Sequence, residues 1–413
     1  MVTGGHSRPR DTERGAAGGI LITQITELGR LKPLREVWDR LLLESPLPNP
    51  MLSFVWVVAA LEHFVMPGEE WVCLMAHDGS VLLGVMPLIL CPRTFGTFRG
   101  AGLRTPFNWH VLAGDCLVKE GYEDRVIPLM LQSARTLDPL YAGLTLTRLG
   151  EGSPALQVMQ RGVDGFVSVR GFNGSGSYIT ISGSYENYLA SLETRFVRNL
   201  RRLDRKLQSL EGLEMSVISE DAGNEDYCDR YLQLENRSWR KEKGTAIIQT
   251  PVLREFYSDL TRKLGERGWL EWYFLSAKGR TVAAMMTIRV GRRQVVYKIG
   301  YDEAYASYSP GSKLFEKMIQ RVHAMGEIQE VDCLTTYPWN QNWNMTIRNY
   351  YDLTIFPARP TVLLAGYLPA RVLNLLRHGS HWGEKCSVLF SSAVKSAMVR
   401  KKRSRNGGNG LSL

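Results

Sequence analysis

A chain of 413 residues exceeds the size that one hydrophobic core usually serves, so two domains are expected. An apolar fraction of 44% with 22% charged residues belongs to a folded globular protein and excludes a wholly disordered chain. The formal net charge of +10 gathers at the two ends and in one internal helix, which points to anionic ligands, lipid or nucleic acid there.

In chain order, Met1–Gly19 is Gly- and Arg-rich without an apolar period, so it is expected to be disordered. It lacks the apolar core of a secretory signal, and no later apolar run is long enough to span a bilayer. Ile20–Glu27 reads as a strand, Leu31–Leu43 as a helix stopped by the Pro-rich stretch Ser45–Pro50, and Ser53–Phe64 as a second helix. Trp71–His77 and Val81–Leu90 flank Asp78-Gly79-Ser80 as a hairpin. Cys91–Asp115 reads as irregular, Glu123–Leu137 as a helix, and Gly143–Leu149 and Tyr178–Ile181 as strands.

The second half repeats this order. Met215–Ile218 is a strand, Glu225–Lys241 and Pro251–Arg267 are helices, and Trp269–Ala277 with Thr281–Val290 flank Lys278-Gly279-Arg280 as a second hairpin. Gln294–Gly300 continues the meander. Gly311–Met325 follows as a helix with Leu314, Phe315, Met318, Ile319 and Val322 on one face. Glu330–Leu334 and Asp352–Phe356 are the last strands, and Thr361–Arg377 is a closing helix. The recurrence implies a duplicated α/β domain with mixed sheets. Its expected limits are 20–185 and 186–378, flanked by the N-terminal 1–19 and a basic tail, 379–413.

The six cysteines and seven histidines show no metal-ligand spacing, so reduced thiols, a cytoplasmic setting and no metal are expected. The stretch richest in chemistry is Val295–Leu334. A strand ending in Tyr301-Asp302 leads into Ser309-Pro310-Gly311-Ser312-Lys313, where a helix begins. Pro310 suits a first helical turn, Gly311 allows close approach to the backbone, and the free amides of Gly311, Ser312 and Lys313 form an anion site fit for a diphosphate. The bland alternative is a Ser-Pro-Gly helix start that binds nothing.

The helix Arg195–Lys206 sorts its side chains. Phe196, Leu200, Leu203, Leu207 and Leu210 share one face, while Arg198, Arg201, Arg202 and Arg205 share the other. Those guanidiniums suit phosphates of a donor or an RNA backbone, or form a solvated basic face.

The order Tyr301-Asp302, Ser309-Pro310-Gly311, helix, Gly326 and the Asp332 strand resembles acyltransferases of the CelD/BcsL type. These lie within the GNAT superfamily and are related in build to the FemAB transferases. Trp239 with Lys243-Gly244 and the Arg-rich helix add to the likeness, which spans about residues 20–365. The resemblance implies a tandem GNAT fold, an acyl-CoA co-substrate held at Ser309, Gly311, Ser312 and Lys313, and an acceptor groove between the domains. The family's Tyr-Lys pair after the acidic strand reads Tyr337-Pro338 here, so a role carried by that lysine is absent.

As catalytic candidates, Asp332 is either a base with raised pKa or a buried structural acid, and Tyr301 and Tyr337 are proton donors or core caps. Trp239, Lys243, Arg201, Arg202 and Asn108 are the candidates for substrate contact. The function this implies is an acyl-CoA-dependent N- or O-acyltransferase acting on a sugar, amino sugar or related metabolite of exopolysaccharide or envelope synthesis. Two rivals are an aminoacyl-tRNA-dependent transferase, with tRNA as partner, and a non-catalytic scaffold in polysaccharide assembly. The basic tail adds an expectation of peripheral membrane contact.

Overall fold

Alternating apolar stretches separated by Gly-containing turns build a 14-stranded sheet in a computed structural model that describes residues 14–15, 19–45, 48–95, 98–238 and 246–379. Besides the two-residue ladders Arg14–Gly15 and Leu117–Val118, the first half supplies β1 (Ile20–Ile25), β2 (Glu70–Asp78), β3 (Val81–Phe95), β4 (Phe98–Arg104), β5 (Tyr141–Gly150) and β6 (Phe166–Thr180). The second supplies β7 (Glu214–Ile218), β8 (Leu270–Ala277), β9 (Arg280–Val290), β10 (Arg293–Tyr301), β11 (Glu330–Asp332) and β12 (Thr346–Pro357). The main helices are α1 (Arg35–Glu44), α2 (Phe54–Phe64), α3 (Glu123–Arg135), α4 (Pro154–Arg161), α5 (Tyr185–Ser191), α6 (Thr194–Gln208), α7 (Glu225–Glu235), α8 (Pro251–Glu266), α9 (Pro310–Met325) and α10 (Leu368–Gly379).

Across the sheet the strands run β1-β2-β3-β4-β5-β12-β6-β11-β10-β9-β8-β7. That order reads the same from either end when each strand is matched to its counterpart in the other half. Each half contributes one parallel pair, β4 with β5 and β10 with β11. At the centre the halves trade strands: β12 lies against β5, and β6 lies against β11, while β6 and β12 pair with each other. The mixed α/β architecture and its internal repeat follow the sequence expectation.

The hairpin between β8 and β9 turns at Lys278 and Gly279, both with positive φ (52° and 70°), the geometry that matches strand twist. Two stretches depart from expectation. Part of Cys91–Asp115, read as irregular, is the end of β3 and all of β4. Tyr178–Ile181 is only the end of the long β6, whose Gly171, Gly174 and Gly176 weaken any strand pattern. Gly176 is required there, because a Cβ would come within 2.8 Å of the Leu334 carbonyl oxygen and of the Tyr350 ring.

One face of the sheet carries a core shared by both halves, with Trp56, Phe256 and Tyr297 buried in it. There α2 packs on its counterpart α8, with Phe64 and Phe256 centroids 4.6 Å apart and Lys263 bridging Glu62 (2.7 Å) and Asp259 (2.6 Å). The opposite face holds a separate core for each half, under α3 and α4 in the first and under α6 and α9 in the second. Among the described residues no helix is long and apolar enough to cross a membrane.

Asp115 gives the fold a pH dependence. Burial pushes its carboxyl from 3.8 up to about 6, only partly offset by hydrogen bonds with Ser153 and the Cys116 amide. The folded state therefore binds more protons than the unfolded chain between about pH 4 and 6, and stability falls as pH rises through that window. Asp115→Asn is expected to flatten this slope and to gain on the order of 1 kcal/mol at pH 7, read from urea unfolding at several pH values.

Candidate active site

The site forms where β10 and β11 part. They pair only from Arg293 opposite Glu330 to Val295 opposite Asp332, after which β10 continues to Tyr301 paired with β9 on one side and, among the described residues, with no strand on the side of β11. Lys298, Ile299, Gly300 and Tyr301 on this free edge are half-buried. Asp302 ends the strand: its Oδ1 accepts from the Ala304 amide (3.1 Å), and its Oδ2 from Arg280 (2.6 Å). A 3₁₀ turn, Glu303–Tyr308, then delivers the chain to Ser309 in the left-handed region (φ 49°, ψ 52°). Pro310 opens α9.

The Ser309 side chain makes no capping bond, and the Ser312 amide turns back to the Ser309 carbonyl at 3.1 Å. The amides of Gly311 and Lys313 have no hydrogen-bond partner among the described residues. A Cβ on Gly311 would meet only Ile299 (3.6 Å) and Tyr301 (3.8 Å), at ordinary contact distance, so the turn is not blocked. Amides at the positive end of a 16-residue helix, with no acid in its first turn, form an anion seat. The counterpart helix α3 begins with Glu123 and Asp124, whose carboxylates oppose any anion. The duplication has thus kept this feature in one half only.

Lys313 is engaged in this state. Its Nζ lies 2.6 Å from Asp204 and 3.1 Å from Glu316, and these carboxylates raise its pKa against the opposing effect of burial. Asp204 belongs to α6, which runs beside the turn. Lys206 of the same helix reaches the Ser307 carbonyl oxygen (3.1 Å) and lies over the Tyr308 ring (4.4 Å). The apolar face of α6 docks as expected through Leu200, Leu203 and Leu207. Arg198, Arg201, Arg202 and Arg205 are exposed; Arg202 donates to Asn199 Oδ1 at 3.0 Å, and the other three have no partner among the described residues.

Tyr301 is the catalytic candidate that the fold brings to the turn, in contact range of Gly311. Burial and then Glu303 raise its pKa, so its hydroxyl stays protonated and can donate. Tyr337 is 52% exposed at the head of a 3₁₀ helix, Pro338–Trp343, and its amide donates to Asn340 Oδ1 at 3.1 Å. Pro338 occupies the first position of that helix, which is held down by Trp339 and Trp343 packing on Phe315 of α9.

Asp332 takes the structural alternative. It is 1% exposed; Oδ2 accepts from Arg293 and from Arg348 (3.0 Å), while Oδ1 accepts from the Leu334 amide (2.5 Å). Glu330 joins the cluster through Arg348 (2.6 and 2.9 Å) and Arg293 (3.2 Å). With Oδ2 shared by two guanidiniums and Oδ1 on a backbone amide, the geometry favours the second of the two alternatives for Asp332, a buried structural acid acting as ion-pair support, over the base. That support holds Leu334 in the left-handed region (φ 58°), its amide on Asp332 and its carbonyl on Arg148 at 2.5 Å. Such a conformation costs on the order of 1 kcal/mol or more and persists because both ends are tied.

Asn108 is likewise engaged locally. Its Oδ1 accepts from the His110 and Val111 amides at 2.7 and 2.9 Å, which makes that oxygen a turn former. Its loop reaches the second half: His110 Nδ1 lies 2.9 Å from the Tyr257 hydroxyl, and Tyr297 donates to the His110 carbonyl at 2.6 Å. Lys298 Nζ sits 4.9 Å from the Tyr297 ring centroid, one residue nearer the free edge. Sequence reasoning missed Tyr257, Tyr297 and Lys298 because nothing local ties positions 110, 257 and 297. Trp239 and Lys243 lie outside the described residues; flanking them, Glu235 Oε2 accepts from the Ile247 amide at 2.9 Å.

Residues 194–341 match the family described as Acetyltransferase (GNAT) domain, a span from α6 through the anion seat to the 3₁₀ helix after β11. No curated protein sequence matches the chain. Among solved structures, FemX is 9% identical over 83% of this chain and 98% of that chain, with a TM-score of 0.58. The C-terminal domain of a putative lysylphosphatidylglycerol synthetase from Agrobacterium fabrum is 9% identical over 84% and 96%, with a TM-score of 0.50. A tandem GNAT protein from the clavulanic acid biosynthesis pathway is 14% identical over 82% and 99%, with a TM-score of 0.44. At these identities the first two likenesses speak of fold alone. The family match adds the class of chemistry: residues 194–341 are similar to acetyltransferase domains of the GNAT type, which supports an acyltransferase.

Proposed function

We propose that the chain transfers an acyl group from an acyl-CoA to an amine or hydroxyl acceptor, with the donor diphosphate on the Gly311 and Lys313 amides. The observation that carries this reading is the pairing of unpartnered helix amides with an unpaired strand edge from Val296 to Tyr301. A pantetheine arm bears two amides and can add to such an edge as a short strand, which brings the thioester to the fork between β10 and β11. The acceptor attacks the thioester carbonyl and the C–S bond breaks; Tyr301 gives its proton to the departing thiolate and is reprotonated, through solvent, by the proton that the acceptor's N–H or O–H releases. No enzyme nucleophile is required, and the buried thiols of Cys73, Cys116, Cys228 and Cys333 are pushed up in pKa by burial, away from thiolate chemistry.

Ser309 and Ser312 would line the diphosphate, and Lys313 would leave Asp204 for it. Trp239, Lys243, Arg201 and Arg202 remain the candidates for acceptor or donor phosphates. A CelD/BcsL-type role on a sugar or amino sugar in a cytoplasmic step of polysaccharide or envelope synthesis is the finer form of this reading. Scanning fluorimetry against a panel of CoA esters tests it: at least one ester raises the melting temperature, and no rise with any member overturns it.

One observation favours a second reading, a transferase that draws its acyl group from an aminoacyl-tRNA: Arg198, Arg201 and Arg205 project from one helix face with no partner among the described residues. Under that reading, RNA binds with a steep salt dependence, and Arg201→Glu with Arg202→Glu weakens it about tenfold or more in filter binding. Under the CoA reading, this double variant keeps its melting-temperature response to the CoA ester.

A further inference from the structure

Helix α10 is amphipathic in the reverse sense. It docks on β6 through Asn374, whose Nδ2 donates to the Arg170 carbonyl at 2.8 Å, and through the small, buried Gly366 of the preceding turn. Leu364, Leu368, Val372, Leu375 and Leu376 recur at steps of four, four, three and one, and all are exposed, Leu364 at 68% and Leu376 at 65%. Leu373, beside them, is exposed as well. A helix that turns its polar residue inward and its leucines outward has an apolar face still to be covered.

The sequence that follows argues what covers it. After the helix come Lys385, Lys395, Arg400, Lys401, Lys402, Arg403 and Arg405, with Glu384 the sole acid from Ser380 onward. Arg371, exposed on the helix itself, adds to the same charge. An apolar face followed in the sequence by a run of cations is the pair of signals that a peripheral protein needs to hold an anionic bilayer, where either alone binds weakly. A second copy of the chain fits less well, because a two-fold contact through α10 would bring two strongly basic segments together.

We infer that the exposed apolar face of α10 is a docking surface for anionic lipid membranes, the positive charge of the sequence after it, which lies outside the described residues, matching the charge of the headgroups. The test is co-sedimentation of the full chain with vesicles of phosphatidylcholine alone or mixed with phosphatidylglycerol. Binding is expected to the anionic vesicles only. It should weaken roughly tenfold or more in a Leu368→Asp, Val372→Asp, Leu376→Asp variant and in an Arg400→Glu, Lys401→Glu, Lys402→Glu, Arg403→Glu variant. Failure to bind either vesicle overturns the inference, and so does binding that the aspartates leave unchanged. A wild-type dimer that the aspartates dissociate, without lipid binding, assigns the face to a second copy instead. A clear drop in melting temperature of the aspartate variant shows that the chain's own tail covers the leucines, which also overturns it.

Discussion

Gly311→Asp removes the thermal protection that an acyl-CoA gives the wild-type chain, while the melting temperature without ligand stays level or rises slightly. The two effects part because they act on different physics. A Cβ at Gly311 makes only ordinary contacts with Ile299 and Tyr301, so the fold accepts the side chain. A carboxylate in the first turn of α9 complements the helix dipole and stabilises it by a few tenths of a kcal/mol. The same carboxylate stands where the diphosphate would sit, opposes its charge and occupies the amides of Gly311 and Lys313. A ligand at about a hundred times its Kd stabilises the wild type by about 2.7 kcal/mol, a rise of several degrees in scanning fluorimetry. Gly311→Ala, neutral and sterically tolerated, should keep most of that rise. An aspartate variant that still responds to the ester in full would place the donor elsewhere.

Asp332→Asn should cost about 3–5 kcal/mol of stability, read from urea unfolding. The amide cannot balance Arg293 and Arg348, which are left buried around Glu330 alone. One of the asparagine's polar atoms also replaces an acceptor that holds the Leu334 amide or the guanidiniums. Activity per folded molecule, measured well below the melting temperature, should fall far less than a lost general base requires, and its pH profile should keep its shape. A variant of wild-type stability whose rate drops by orders of magnitude would return Asp332 to the reacting atoms.

The contrast between these two positions shows what the sequence can carry. Ser309–Lys313 was legible because its chemistry is local: a proline, a glycine and the start of an apolar-faced helix lie within five residues, and among the described residues the amides of Gly311 and Lys313 find no partner, although the expected third, Ser312, turns back to Ser309. Asp332 was not, because its partners Arg293 and Arg348 stand 39 and 16 residues away and no local pattern announces them. The same reason hides β6. Its glycine-rich stretch has little strand propensity, and its ladder is supplied by β11 and β12, both far along the chain. By contrast, the hairpin at Lys278-Gly279 and the buried face of α9 came through unchanged, since turn chemistry and helical period are decided within a few residues. The register of His110 against Tyr257 and Tyr297 belongs with the hidden class, because it exists only once both halves have docked.

The exchange of central strands bears on how the chain is made. As it leaves the ribosome, the N-terminal portion has β1 to β5 in hand, yet the neighbour that completes the inner border of β5 is still untranslated. Until residue 357 emerges, that border stays open to any extended segment nearby, including one from another nascent chain. Slow translation beyond β6, or a shortage of holding chaperones, therefore threatens yield before any catalytic residue matters. Duplication left two similar units, and trading their middle strands made each wait for the other.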